Sequence, residues 1–223
     1  SNFHLVTHAD YKKRVIQMGE EKKKTFTVGS PGVNNINKKN IISKKNFFSK
    51  YNLNNKRKLC LVSFNSETMN YKETEKQLKV LNDIFRYLKN FNIIITHTNY
   101  DLASNKINKF FQKSEKEYKN IQVHKYLGED YFGAMMNAVL MIGNSSSGII
   151  ESPSFKIPFI NLGSRQKGRV LAKNILNCEF DSKKIIKLIN YSLSKKFVKT
   201  LKKLKNPYEN KNFQLNLIKA LKS

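Results

Sequence analysis

From Lys58 onward the chain alternates between two textures. Short apolar runs rich in β-branched residues occur at Leu59 to Phe64, Ile93 to Thr96, Ile121 to Lys125, Val139 to Ile142 and Phe159 to Leu162. Between them, in Glu73 to Leu88, Ile107 to Phe111 and Tyr131 to Ala138, the apolar positions recur three and four residues apart. The short runs predict buried strands and the longer periodicity predicts helices. A further helix opens near Ser146, with its body from about Ile149, and Ile175 to Cys178 reads as one more strand. Such alternation predicts right-handed βαβ crossovers and a parallel sheet. The expected fold class is therefore α/β, a Rossmann-like parallel sheet sandwich.

Before Lys58 the pattern is patchier. Phe3 to Thr7 reads as a short strand, Tyr11 to Met18 as a helix and Thr25 to Val28 as a second short strand. These pieces have no sheet of their own to complete, so the first thirty or so residues read as a tail that needs a neighbour. Gly29-Ser30-Pro31-Gly32 is a turn cluster, and Ile41, Ile42, Phe47, Phe48 and Tyr51 then recur at helical spacing. Beyond Ser182 the chain reads as helices, broken at Asn206-Pro207-Tyr208 because proline pushes the residue before it out of helical conformation.

The length of 223 residues suits one α/β domain with an appendage and is short for two. A formal net charge of +26 invites a nucleic-acid reading. The lysines are scattered, however, accompanied by asparagine and isoleucine in nearly every segment, as in Lys38-Lys39-Asn40-Ile41-Ile42. That is a chain-wide bias with solvated lysine faces, and no specific nucleic-acid partner is expected. Cys60 and Cys178 fall in predicted strands and are expected as buried free thiols in a reducing compartment. No apolar run reaches the roughly 18 residues that cross a bilayer, and the first residues lack a signal-peptide pattern, so a cytoplasmic protein with no membrane partner is expected. His4, His8, His97 and His124 lack metal-ligand spacing. No metal and no cofactor are expected. Glu129-Asp130 reads as a helix start rather than a catalytic dyad.

In a doubly wound sheet, ligands gather beyond the carboxyl ends of the strands. There the strand Val139 to Ile142 runs into Gly143-Asn144-Ser145-Ser146-Ser147-Gly148 and a helix. Small polar residues leave the first N–H groups of that helix open to an anion, so a phosphate fits; an ordinary serine N-cap would need only one of the three. Glu151, read as within the first turn or two of the same helix, could accept from both hydroxyls of a ribose or simply pair with the helix dipole. Arg165 follows the strand Phe159 to Leu162 through Gly163-Ser164 and should reach the same sheet edge. Its guanidinium suits a diphosphate, although it is one of 42 lysines and arginines.

The run from Ile142 to Phe155, with Pro158, Asn161, Gly163 and Arg165-Gln166-Lys167-Gly168-Arg169, resembles the signature of hydrolysing UDP-N-acetylglucosamine 2-epimerases of sialic- and legionaminic-acid pathways. His4-Leu5-Val6-Thr7, Arg14 to Glu20 and Val28 to Gly32 are similar to the hinge region of that family, and Asn99-Tyr100-Asp101 resembles its Asn-x-Asp loop. The resemblance implies the carboxy-terminal half of a GT-B-like two-domain enzyme that binds UDP or a UDP-N-acetylhexosamine. By motif, Ser145 and Ser146 would contact the diphosphate, Glu151 the ribose and Arg165 the phosphates or the sugar side. Main-chain groups near Tyr126-Leu127-Gly128 would hold the uracil. The family eliminates UDP to an unsaturated sugar and then adds water to give N-acetylmannosamine, with acids and bases from the other domain.

Residues 1–33 would then be a remnant of the amino-terminal domain and hinge, 34–205 the UDP-binding domain, and 206–223 a helix packing back toward the absent domain. That domain is expected in cis or in trans, and a homodimer is left open. The sequence departs from the family at Asn65, which stands where the family has histidine and cannot carry a proton near neutral pH. Lys156, Glu209 and Lys211 replace family glycines, so their loops are expected to differ. The readings that compete with an epimerase half are a UDP-binding module without turnover, a GT-B glycosyltransferase half and nonspecific RNA binding.

Overall fold

The computed structural model describes residues 2–36, 38–67, 73–98 and 103–222. The chain begins with β1 (His4–Val6), α1 (Ala9–Gln17) and β2 (Thr25–Thr27), followed by the short helices α2 (Pro31–Asn34) and α3 (Lys44–Lys50). The body then runs β3 (Lys58–Ser63), α4 (Thr74–Tyr87), β4 (Phe91–Thr96), α5 (Ser104–Glu117), β5 (Ile121–His124), α6 (Asp130–Asn137) and β6 (Ala138–Gly143). After β6 come α7 (Ser146–Ile150), α8 (Ser152–Phe155), β7 (Phe159–Leu162), β8 (Ile175–Cys178), α9 (Ser182–Ser192), α10 (Lys195–Leu201) and α11 (Phe213–Lys222).

Strands β3 to β8 form one sheet in the order β5-β4-β3-β6-β7-β8, every pairing parallel. Counted from its first strand this is the order 3-2-1-4-5-6, and the direction of travel reverses between β3 and β6; the first half is β3-α4-β4-α5-β5, whereas in the second β7 passes to β8 through a loop without a helix. Both faces are covered. Cys60 and Val62 of β3 pack with Leu81, Ile84 and Phe85 of α4, Phe111 of α5 and Ile185 of α9. Leu59 and Leu61 point the other way, toward Phe47 and Phe48 of α3, Met135 of α6 and Ile149 of α7. A strand buried on both sides needs apolar residues at every position, which is why β3 reads as an unbroken run rather than as alternation.

Three expectations change. β1 and β2 pair with each other, His4 opposite Thr25 and Val6 opposite Thr27, in a two-stranded parallel sheet joined by α1. Two strands are marginal alone; these are seated on the body by Tyr11 Oη against Tyr208 Oη at 2.8 Å and by Arg14 Nη1 donating to Gly168 O at 2.6 Å. α3 starts at Lys44 rather than near Ile41, because Ser43 caps it by accepting from Asn46 N at 3.3 Å. Cys60 is buried, whereas Cys178 is only partly so because β8 is an edge strand. No helix among the described residues is long and apolar enough to cross a membrane.

Lys156 adopts the left-handed backbone that a glycine would favour, with φ +57°, and closes α8 there. Glu209 and Lys211 are not among the residues with positive φ. The penalty falls on Lys156 alone, and Lys156→Gly is expected to raise the stability by about 1 kcal/mol, read as a shift of the urea midpoint at constant slope.

Candidate functional site

The reversal between β3 and β6 leaves a crevice beyond their carboxyl ends. It opens as a cleft of about 590 Å³ walled by Ser63 and Asn65 after β3, Thr96 to Thr98 after β4, Lys125 to Gly128 after β5, and Tyr131, Ser145 and Ser147. Asn65, Leu127, Gly128 and Ser145 were singled out in the sequence, and all four lie in this wall. Asn99-Tyr100-Asp101 lies outside the described residues.

Asn144 organises the crevice. Its buried side chain accepts from Asn65 N at 2.7 Å and donates to Asn65 O at 2.8 Å, so it pairs with the chain leaving β3 as another strand would. Asn65 is thereby held by its backbone, and its Oδ1 accepts from Thr98 Oγ1 at 3.1 Å. The carbonyl of Asn144 accepts from Gln166 Nε2 at 2.7 Å and from Arg165 Nη1 at 3.4 Å. Sequence reasoning gave Asn144 no role; only its place between a strand-ending glycine and the serine run hinted at one.

Ser145 is the N-cap of α7, its Oγ accepting from Ser147 N at 3.4 Å. The same oxygen lies 3.0 Å from Ser147 Oγ, which lies 2.5 Å from the hydroxyl of Tyr131. The three hydroxyls form a chain along the cleft floor. Burial pushes the Tyr131 phenol up to about 12, so near neutral pH it keeps a proton to donate. Ser146 opens α7 but is not part of the wall; Ser147 and Tyr131, which were not proposed from the sequence, are.

Glu151 is placed differently from its expected position. α7 ends at Ile150 after five residues, and Glu151 joins it to α8. Pro153 has no N–H to donate to Ile149, so the helix cannot run on. Ser152 Oγ donates instead to Gly148 O at 2.6 Å. Glu151 thus sits beyond the end of α7 and at the N-cap of the four-residue α8, away from the amino terminus of α7 where the serine loop lies. Its side chain faces Gly32, where an added Cβ would meet Glu151 Oε1 at 3.0 Å. Burial raises its carboxyl to about 7, with the Arg169 guanidinium pulling the other way. Neither Glu151 nor Arg165 is part of the cleft wall itself. Arg165 lies across the opening of the serine loop, against the Asn144 carbonyl, and Glu151 on the side of the Ser30–Gly32 turn.

Asp130, at the start of α6, accepts from Tyr51 Oη at 2.8 Å and pairs with Lys50 at 2.5 Å. The lysine bond holds its carboxyl below the ordinary range. These contacts tie α6 to α3 and are structural. Among the described residues no three His, Cys, Asp or Glu side chains gather as a metal site would require.

A family model described as UDP-N-acetylglucosamine 2-epimerase matches residues 1–222. The chain is 38% identical over 183 residues to a GDP/UDP-N,N'-diacetylbacillosamine 2-epimerase (hydrolyzing) of Campylobacter jejuni, covering 81% of this chain and 48% of that protein. It is 34% identical over 223 residues to the polysialic acid biosynthesis protein P7 of Escherichia coli, covering 100% of this chain and 57% of that one. The chain therefore spans about half the length of these relatives. In fold it is similar to S. aureus MnaA, solved with UDP, at a TM-score of 0.77 and 15% identity, covering 100% of this chain and 59% of that one. At that identity the likeness is one of fold.

Proposed function

The chain belongs to the UDP-N-acetylglucosamine 2-epimerase family, and on that premise we propose that it supplies the nucleotide-binding half of a two-domain, hydrolysing 2-epimerase acting on a UDP-N-acetylhexosamine. The observation that carries this reading is the cleft at the β3/β6 reversal, with the hydroxyls of Ser145, Ser147 and Tyr131 in one connected line. Hydroxyl donors and the open N–H groups of the serine loop would take the diphosphate. Main-chain groups of Leu127 and Gly128 would take the uracil, Glu151 the ribose and Arg165 the phosphates.

Epimerisation at C2 requires a proton to leave that carbon. Expulsion of UDP from C1 then leaves a C1–C2 double bond, to which water adds. On this reading the chain holds the leaving diphosphate and stabilises the charge that collects on it as the C1–O bond breaks. Proton transfer needs groups within hydrogen-bond reach of the sugar. Asn65, pinned by Thr98 and Asn144, cannot supply a proton carrier, so those groups would come from a facing domain. The β1–α1–β2 unit and α11, which lies against β2, would form the base of that domain; Leu215, Ile218 and Leu221 give α11 an exposed apolar face. The asparagine also favours a second reading, a UDP-binding module without turnover.

Calorimetric titration of UDP into the chain tests the shared premise. Saturable binding is expected, weakened roughly tenfold by Arg165→Ala and by Glu151→Ala and falling only mildly between low and moderate salt. Absence of heat from a folded chain would refute it. Turnover after a facing domain is added back separates the enzyme half from the binding module.

A further inference from the structure

One buried acid has no place in the mechanism above. Glu67, in the loop leaving β3, is 5% exposed. Its Oε1 accepts from the backbone N–H of Ser164 at 2.8 Å and of Arg165 at 3.1 Å, and its Oε2 from Gln77 Nε2 at 3.5 Å. The carboxylate thus fills the concavity of the Gly163–Arg165 turn as an anion fills a backbone nest. Gly163 makes the fit possible. Its φ is +70°, and a Cβ there would stand 2.3 Å from Glu67 Oε1.

These bonds close a ring beside the crevice, on its β6–β7 side. The Asn144 side chain, at the end of β6, grips the backbone of Asn65 after β3. Two residues on, Glu67 grips the turn after β7. That turn sends Arg165 and Gln166 back to the Asn144 carbonyl. Three neighbouring strand ends are thereby joined, the first to the third through the Glu67 carboxylate.

We propose that Glu67 is a positioning residue: sealed beneath the Gly163–Arg165 turn, it sets the path of that turn and so the place from which Arg165 reaches the nucleotide. This rests on the reading of Arg165 as a phosphate contact. Glu67 itself does not touch the ligand; its effect passes through the arginine. A residue that acts only through another gives a non-additive cycle, whereas one that merely supports the fold weakens binding by its own increment in either background.

The test is a calorimetric double-mutant cycle with UDP as the probe, using wild type, Glu67→Ala, Arg165→Ala and the double variant. Glu67→Ala is expected to weaken UDP roughly tenfold and the double variant to bind no more weakly than Arg165→Ala alone. Glu67→Gln, whose amide oxygen can still accept from the turn, should restore most of the affinity. Should Glu67→Ala not fold, Glu67→Asp, which draws the carboxylate back by one methylene, takes its place in the same cycle. Wild-type affinity in Glu67→Ala, or a full further loss on top of Arg165→Ala, overturns the proposal while leaving the nucleotide reading standing. No UDP binding by the folded wild type removes that reading and this proposal together.

Discussion

Gly143→Ala is expected to destabilise the protein by about 4 kcal/mol, a quarter or more of the roughly 5 to 15 kcal/mol of an ordinary domain. Gly143 closes β6 at φ +143°, in a region that side chains rarely enter, and an added Cβ would stand 2.0 Å from the carbonyl oxygen of Ser63 and 2.6 Å from its carbon. The obstacle is backbone, not the end of a flexible side chain. Ser63 is paired with Gly143 across the β3/β6 ladder, and its carbonyl also accepts from Asn144 N at 3.1 Å. Moving it breaks the register where the two halves of the sheet meet, so strain adds to lost hydrogen bonding. Urea unfolding of the two proteins measures the difference, and a change under 1 kcal/mol would show that the two strands separate far more readily than their packing implies. The same crevice would be distorted, so the variant should also lose UDP binding where enough of it folds to be assayed.

The second large effect is a pH dependence that resides in one side chain. The Glu151 carboxyl lies at about 7 in the folded chain against an ordinary value of 4.5. A folded-state value above the unfolded one means that the native protein binds the proton more tightly. The associated stability is complete below about pH 4.5, declines as pH rises toward 7 and is gone above it. For a shift of this size in a mostly buried group the decline is about 3 kcal/mol. Glu151→Gln, which cannot ionise, should remove that slope: between pH 5 and pH 8 the wild type loses stability to urea relative to the variant. Parallel curves for the two proteins would place the titration elsewhere. Ribose hydroxyls donating to Glu151 favour its ionised form, so the ratio of UDP affinity at pH 8 to that at pH 5 should be larger for the wild type than for Glu151→Gln, the ionisation of the terminal phosphate at about pH 6 being common to both.

Most of the fold was legible in the chain. β7 and β8 have the predicted ends, and β3 to β6 differ from prediction by one or two residues, because a run of β-branched residues buried on both faces carries its own signal. The site was legible where it coincides with a strand end. Ser145 was read from its place after a strand, whereas Asn65, Leu127 and Gly128 entered through the family resemblance; all four fall in the cleft wall because the carboxyl ends of parallel strands share one edge. Glu151 was displaced because its position depended on how far α7 would run. The stop lies with Pro153, two residues beyond Glu151, which cannot donate to the turn before it. Ser147, Tyr131 and Asn144 were missed for another reason: each matters through a partner distant in sequence or on another element.

Local pattern therefore determined which segments are strands and helices, that the sheet is parallel, and which loops gather at the carboxyl edge of its strands. These follow from short-range periodicity and from the handedness of the crossover, and both are carried by neighbouring residues. Only the tertiary structure decided that β1 pairs with β2, that Asn144 joins the ends of β3 and β6, and that Glu67 lies under the turn bearing Arg165. Glu67 and Arg165 are 98 residues apart in the chain. A contact of that kind depends on how the strands are ordered in the sheet, and no local run of residues encodes it.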